Sequence, residues 1–423
     1  MKEQVVVTGL GCVSPFGCTL DSFWDGLYEG KSTVRNLEGE FDISNLYAQI
    51  ACYIPNDENI FPWAKWRAEL PKAAKFVLYG LQAAQDAMID AGLISHDNLH
   101  VDPSAKIGVV VGSGIGGLEE QSVATQAMMN KGAHRVSPFF VPTALINLVA
   151  GHIAIRHKIK GPNQSQVAAC STGAIAIADG ARMIREGRCD MVLVGAAESS
   201  VCRLGIAGFA AIKALAHSNE MNASCPFDQA RSGFVMGEGA GILVLESKES
   251  AIKRGAKIYC EYLDAGLTND AYHLTAPCED GDGAARAMQE ALDRSGLKAT
   301  DIDYLNAHAT STPLGDKAEL KGIKRVFAEN WDNISISSVK GSIGHMLGAA
   351  GSIEVIAAIM CLNKQIVLPT INLHAPDEAA ELNGKMVDLV PNKAKSKRIR
   401  AILKNSFGFG GHNAALIFKE YSK

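Results

Sequence analysis

Gln166-Val167-Ala168-Ala169-Cys170-Ser171-Thr172-Gly173-Ala174 is a run of small residues that reaches a cysteine and turns at once into a helix. Ala174, Ile177, Ala178 and Ala181 recur at helical spacing, Ile184 extends the same apolar face, and Gly187 is a natural stop. Cys170 is therefore expected at a helix N-terminus. Unpaired N–H groups and the helix dipole favour negative charge there, which would stabilise a thiolate. A buried structural cysteine fits the same residues about as well.

Outward from this point the chain alternates short β-branched runs with alanine-rich amphipathic stretches. The pattern predicts strands at 4–9, 106–112, 191–195, 240–246, 258–265, 302–306, 401–404 and 413–418. It predicts helices at 73–91, 141–157, 172–186, 283–295, 316–328 and 346–362. Such alternation argues for a layered α/β fold. The polar stretch Ser247 to Lys257 reads as a join between two halves, 1–253 and 254–423, each with its own β/α set. Residues 36–71, with Pro55, Pro62, Pro71, Trp63 and Trp66, read as an irregular surface insertion.

The bulk properties exclude several classes. A net charge of −4 and a pI near 6.3 argue against a general affinity for nucleic acid or anionic membrane. No run of about eighteen apolar residues suggests a membrane span, and the N-terminus lacks the features of a secretory signal. The ten cysteines include no CxxC pair, which suggests reduced thiols in a cytoplasm-like compartment and no metal site. Gly112, Gly114 and Gly117 match GxGxxG, but no acidic residue ends a second strand about twenty positions on, so this is a weak nucleotide signal.

Three further segments carry candidate chemistry. Asn306 to Asp316 (NAHATSTPLGD) delivers His308 from a strand into a hydroxyl-rich loop. Ser338 to Gly351 (SVKGSIGHMLGAAG) sets His345 among glycines at the head of an apolar helix. Glu354 lies nine positions past His345, and a lone carboxylate in so apolar a helix is costly unless paired; Lys340 is the obvious partner. Asn405 to Asn413 (NSFGFGGHN) is a glycine-rich turn whose Phe407 and Phe409 suit a hydrophobic gate, or else a hairpin with buried rings.

The set AACSTGA, NAHATSTPLGD, VKGSIGHMLGAAG and NSFGFGGHN, in that order, resembles the β-ketoacyl–acyl-carrier-protein synthases of the elongating type, and the resemblance spans essentially the whole chain. It implies a thiolase fold: duplicated halves in αβαβα layers, with two mixed five-stranded sheets, forming a homodimer. It implies Cys170 as the acyl-accepting nucleophile and His308 and His345 as the pair promoting malonyl decarboxylation. Lys340 and Glu354 are then the supporting ion pair and Phe409 the gate, with Phe407 beside it. Thr310, Thr312 and Thr275 would contact the pantetheine arm. Ile115, in a segment resembling the type II acyl pocket, would lie along the acyl tunnel. No cofactor is implied beyond the 4′-phosphopantetheine arm on which the substrates arrive. The partner is an acidic acyl carrier protein, for which Lys72, Lys213, Arg67 and Lys75 are candidate docking residues. The implied compartment is the bacterial cytoplasm or an organellar matrix.

Rivals with the same machinery are a polyketide-type ketosynthase and a non-catalytic chain-length-factor partner. A histidine at both positions separates the chain from thiolases and initiating synthases. Two residues depart from the pattern: His412, where many relatives carry threonine, and the bulky Leu314 after Pro313.

Overall fold

The structure is a computed structural model that describes residues 3–422. Ten strands form its main sheet. The first five are β1 (Val5–Val13), β2 (Ile107–Gly112), β3 (Asn163–Gln164), β4 (Met191–Glu198) and β5 (Gly239–Ser247). The second five are β6 (Cys260–Asn269), β7 (Tyr304–Asn306), β8 (Ser335–Ser337), β9 (Ala401–Gly408) and β10 (His412–Lys419).

The first five strands lie in the order β1-β5-β4-β2-β3, and the second five in the order β6-β10-β9-β7-β8. Pairing runs antiparallel, antiparallel, parallel, parallel in each set. Order and polarity therefore repeat strand for strand. The two five-strand sets expected as separate sheets share one seam, where Val5–Val7 pair antiparallel with Cys260–Tyr262. The short helix Lys248–Lys253 turns the chain back so that β6 starts beside β1.

Helices cover both sides. Chief among them are α1 (Lys75–Asp90), α3 (Leu148–His157), α4 (Thr172–Arg185), α5 (Asp282–Ser295), α6 (Pro313–Phe327) and α7 (Ala350–Lys364), whereas α2 (Leu118–Lys131) has no buried residue. Strand alternation sorts side chains between layers. Val109, Val111, Leu193, Ile242 and Val244 pack toward α1 and α3. Their neighbours Val110, Val192, Val194, Leu243 and Leu245 pack toward α4 and α7, which also meet Ile402, Leu416 and Phe418 of the second half. Leu403 and Ile417 face α5 and α6. This is the αβαβα stack. Close approach repeats as well: a Cβ at Gly11 of β1 would stand 2.0 Å from the Ala83 carbonyl of α1, and one at Gly266 of β6 would stand 2.0 Å from the Ala287 carbonyl of α5.

Some sequence expectations need correction. Residues 141–157 form two helices, Phe140–Ala144 and α3, broken at Leu145–Asn147. The 36–71 segment is not merely surface. Trp63 and Trp66 are buried, and Trp63 stacks edge-on with Phe61 and Tyr79. Burying such large rings outweighs the irregular path that the prolines impose. Helix α2 was not predicted because none of its residues is buried, so it carries no apolar stripe. The segment Leu347–Lys364 is long and apolar enough to cross a bilayer, but 89% of it is buried inside the protein, where it serves as the central helix.

Candidate active site

Cys170 stands in a single tight turn, Ala169–Ser171, immediately before α4. Ala169 takes φ +46°, a left-handed conformation unusual for alanine. Thr172 Oγ1 spans the turn, accepting from Ala168 N–H at 2.9 Å and donating to Ala169 O at 2.7 Å. The Ser171 hydroxyl reaches across to the carbonyls of Ser406 and His412, at 3.1 and 2.8 Å. Gly408 fits against this turn because a Cβ there would lie 2.6 Å from Ala168 O.

The helix-start position is as the sequence predicts, but a resting thiolate is not what results. Burial pushes the Cys170 thiol up to about 12. Lys340 and the backbone N–H groups of Phe409 and Cys170 oppose that shift, whereas Glu198 adds to it. The two N–H groups aimed at the sulfur are also placed to serve an oxyanion at a carbonyl attached to it.

His308 follows β7, and His345 follows the one-turn helix Lys340–Ile343. Their rings meet edge to face with centroids 5.3 Å apart. Phe407 packs on His308 at 5.6 Å, and Phe234 on His345 at 5.1 Å. Both histidines are held well below the ordinary imidazole value, first by burial and then by Lys340. Each ring is thus neutral, with one N–H to donate.

Lys340 Nζ lies 2.6 Å from Glu354 Oε1 and donates to His308 O at 2.5 Å, with both side chains 1% exposed. Glu319 accepts from the N–H groups of His308 and Ala309, at 2.9 and 2.7 Å. Arg231 donates to the carbonyls of Thr312 and Pro313 and pairs with Asp377 at 2.6 Å. Glu198 accepts from Gly114 N–H, Gly348 N–H, Ser113 and Ser200, which ties the glycine loop to the head of the central helix. Gly114 N–H is thereby taken by a carboxylate, so the GxGxxG match cradles no phosphate. Glu319, Arg231 and Glu198 were not singled out from sequence. Each reads there as an ordinary charge beside a helix or strand end, and only the buried carbonyls and N–H groups facing it give it a role.

One cavity of 420 Å³ unites the main residues. Cys170, His308, His345, Phe407 and Phe409 line it, as do Thr275, Thr310, Thr312, Leu314 and Lys213. The hydroxyls of Thr310 and Thr312 are 3.1 Å apart. Phe407 belongs to strand β9, paired with Asn413, and not to the turn, because the β9–β10 hairpin continues through Gly408. Phe409 alone sits in the turn, with its ring 6.4 Å from Phe209. Ile115 does not line the cavity. It packs in an adjoining apolar cluster with Cys170, Ile206, Phe234 and Leu347. Among the docking candidates, Arg67 and Lys72 are exposed, and Arg67 lies over the Trp63 ring at 5.0 Å. Lys75 is ion-paired with Glu119 at 3.2 Å, so its charge is already answered. The His412 side chain is exposed, and its carbonyl holds Ser171.

Comparisons with known proteins agree with this geometry. The family model "Beta-ketoacyl synthase, N-terminal domain" matches residues 2–251, and "Beta-ketoacyl synthase, C-terminal domain" matches 259–374. A 3-oxoacyl-[acyl-carrier-protein] synthase 2 of Rhizobium meliloti is 46% identical over 99% of both chains. Its namesake from Vibrio harveyi is 43% identical over 100% of both. Among solved structures, a type II PKS acyl-carrier protein in complex with its ketosynthase contains a chain with TM-score 0.90 and 31% identity over 100% of both chains. On these matches the chain belongs to the β-ketoacyl synthase family.

Proposed function

We propose that this chain elongates fatty acyl groups by decarboxylating malonyl-acyl carrier protein and condensing it with an acyl chain held on Cys170. The observation that carries this reading is the meeting of one buried thiol and two neutral imidazoles in a single cavity. Two relatives are named 3-oxoacyl-[acyl-carrier-protein] synthase 2, and a 3-oxoacyl carrier is the product this condensation would give.

In the first half, the Cys170 sulfur attacks the carrier thioester and the thiol proton passes to the departing carrier sulfur. The N–H groups of Cys170 and Phe409 stabilise the tetrahedral oxygen. In the second half, malonyl carrier enters and its terminal C–C bond breaks to release CO2. The electron pair flows to the thioester carbonyl as an enolate. His308 and His345, as neutral N–H donors, stabilise that oxygen while its charge develops. The enolate carbon attacks the acyl–Cys170 carbonyl, the thioester C–S bond breaks, and the thiolate takes a proton. The product is a β-ketoacyl carrier two carbons longer.

An acidic carrier fits Lys213 at the cavity mouth, with the exposed Lys72 and Arg67 as further anchors. Lys75 is the weakest of the four, being paired already. A second copy of the chain is the proposed partner at the open edge of β3, with Val167 exposed three residues past that strand. Ten free thiols suit a reducing cytoplasm or organellar matrix. The test is mass spectrometry of products from malonyl carrier offered with acyl carriers of several lengths. A β-ketoacyl carrier two carbons longer than the primer is expected, and its absence with every primer would reject the reading.

A further inference from the structure

Lys404 lies within strand β9 with 0% exposure, and the reaction described above makes no use of it. Its Nζ is 2.8 Å from Glu354 Oε2, while Lys340 Nζ is 2.6 Å from Oε1. One buried carboxylate is thus held between two buried ammonium groups. Each ammonium then reaches one of two successive carbonyls. Lys340 donates to His308 O at 2.5 Å, and Lys404 donates to Ala307 O at 3.4 Å and to Asn405 O. From the opposite side Glu319 accepts the N–H groups of His308 and Ala309 and the side-chain amide of Asn405. The backbone that presents His308 is therefore gripped on both its carbonyl and its N–H sides. A buried lysine costs solvation, so its retention here calls for a reason beyond packing.

We propose that Lys404 is a positioning residue for the decarboxylation step: it fixes the Ala307–His308 backbone against Glu354 and so sets where the His308 ring stands opposite His345. The proposal rests on the roles assigned to the two histidines. Facing Lys404 are Glu354 of α7, Lys340 ahead of it, Glu319 of α6, and the rings of His308 and His345. Burial lowers the Lys404 ammonium to about 8, against the opposing pull of Glu354 and Glu319. As pH rises through that value, Glu354 retains only Lys340, and Ala307 O loses its charged donor. Decarboxylation then slows on the alkaline side.

The experiment compares the full chain with Lys404→Met and Lys404→Arg. Acylation of Cys170 is followed by intact-protein mass, and CO2 release from malonyl carrier is followed across pH. K404M is expected to acylate within about threefold of the unsubstituted protein while releasing CO2 at least about tenfold more slowly. K404R is expected to keep CO2 release within about fivefold near neutrality and to shift the alkaline fall to higher pH, since guanidinium stays protonated. Equal loss of both steps in K404M overturns the proposal in favour of a general structural role. An alkaline limb unmoved in K404R overturns it too, and decides the matter if K404M does not fold. A His345→Ala variant that still releases CO2 at full rate would overturn the histidine assignment and the proposal with it.

Discussion

The Ser171 hydroxyl donates to the carbonyl of His412 at 2.8 Å, joining the turn that carries the nucleophile to the β9–β10 hairpin that carries Phe409. Because it also meets Ser406 O, one side chain holds the Cys170 sulfur in register with the Phe409 N–H. Ser171→Ala should leave two carbonyls without this donor and lower stability by about 1–3 kcal/mol. Acylation of Cys170 should slow by about tenfold, since a small displacement of an oxyanion donor is costly. Urea denaturation and intact-protein mass with an acyl carrier measure the two effects. Unchanged acylation together with lowered stability would leave Ser171 as packing alone.

The two halves of the chemistry should separate by mutation. Cys170→Ala should show no acyl-enzyme by mass but retain CO2 release from malonyl carrier, because the histidine pair is intact. His345→Ala should acylate within about fivefold of normal and lose condensation by at least about a thousandfold. The discriminating measurement is the pair of rates in each variant. Full condensing activity in both would contradict the assignment.

What the sequence made legible follows from what each residue is next to. Cys170 could be read because a helix start follows it directly, His308 because it enters a hydroxyl-rich loop, and His345 because glycines surround it at the head of an apolar helix. Lys404 could not. In AILKN a charged residue closes an apolar run, which ordinarily marks the chain leaving the core, but residues 401–406 of β9 are all buried. Glu319, in GDKAEL, looks like a solvated helix position until the backbone of His308 is brought against it. In the residues themselves the duplication showed only as a join near Ser247–Lys257, and the duplicated halves came from the family resemblance. Strands β3 and β8 are two and three residues long, too short to show a period, so the strand-for-strand repeat emerges only from hydrogen bonding.

Glu238 gives a pH test of stability away from the reaction. It is buried, accepts from Ile54 N–H at 2.9 Å and from the Tyr79 hydroxyl at 3.1 Å, and burial raises it from 4.5 to about 7. The folded state therefore binds this proton more tightly than the unfolded chain. Its contribution to stability is full below about 4.5 and is lost as pH rises to about 7. Glu238→Gln keeps an acceptor oxygen but cannot ionise. It should be more stable than the unsubstituted protein at pH 8 by roughly 1–3 kcal/mol and nearly equal near pH 4.5. Denaturant melts at the two pH values read the difference directly, since Asp316, raised to about 7, and the buried histidines contribute equally to both proteins. Parallel pH slopes would show that Glu238 is not the source.

Ile115 offers a test of chain length. Cys170 and Phe234 line the cavity and also belong to an apolar cluster with Ile206, Met236 and Leu347, against which Ile115 packs although it does not line the cavity. A long saturated chain on Cys170 gains most by entering that cluster, at roughly 0.8 kcal/mol per buried methylene. Its side chains must then yield, and the size of Ile115 limits how far. Ile115→Phe enlarges a partly buried side chain packed against that cluster, so stability should fall by about 1–3 kcal/mol. The catalytic effect should depend on the primer. Short acyl groups, which stay near Cys170, should be elongated at close to the normal kcat/KM. Long ones should lose at least about tenfold, the equivalent of two methylenes left unburied. A kcat/KM series over primer length measures this, and equal losses at every length would place Ile115 outside the path of the acyl chain.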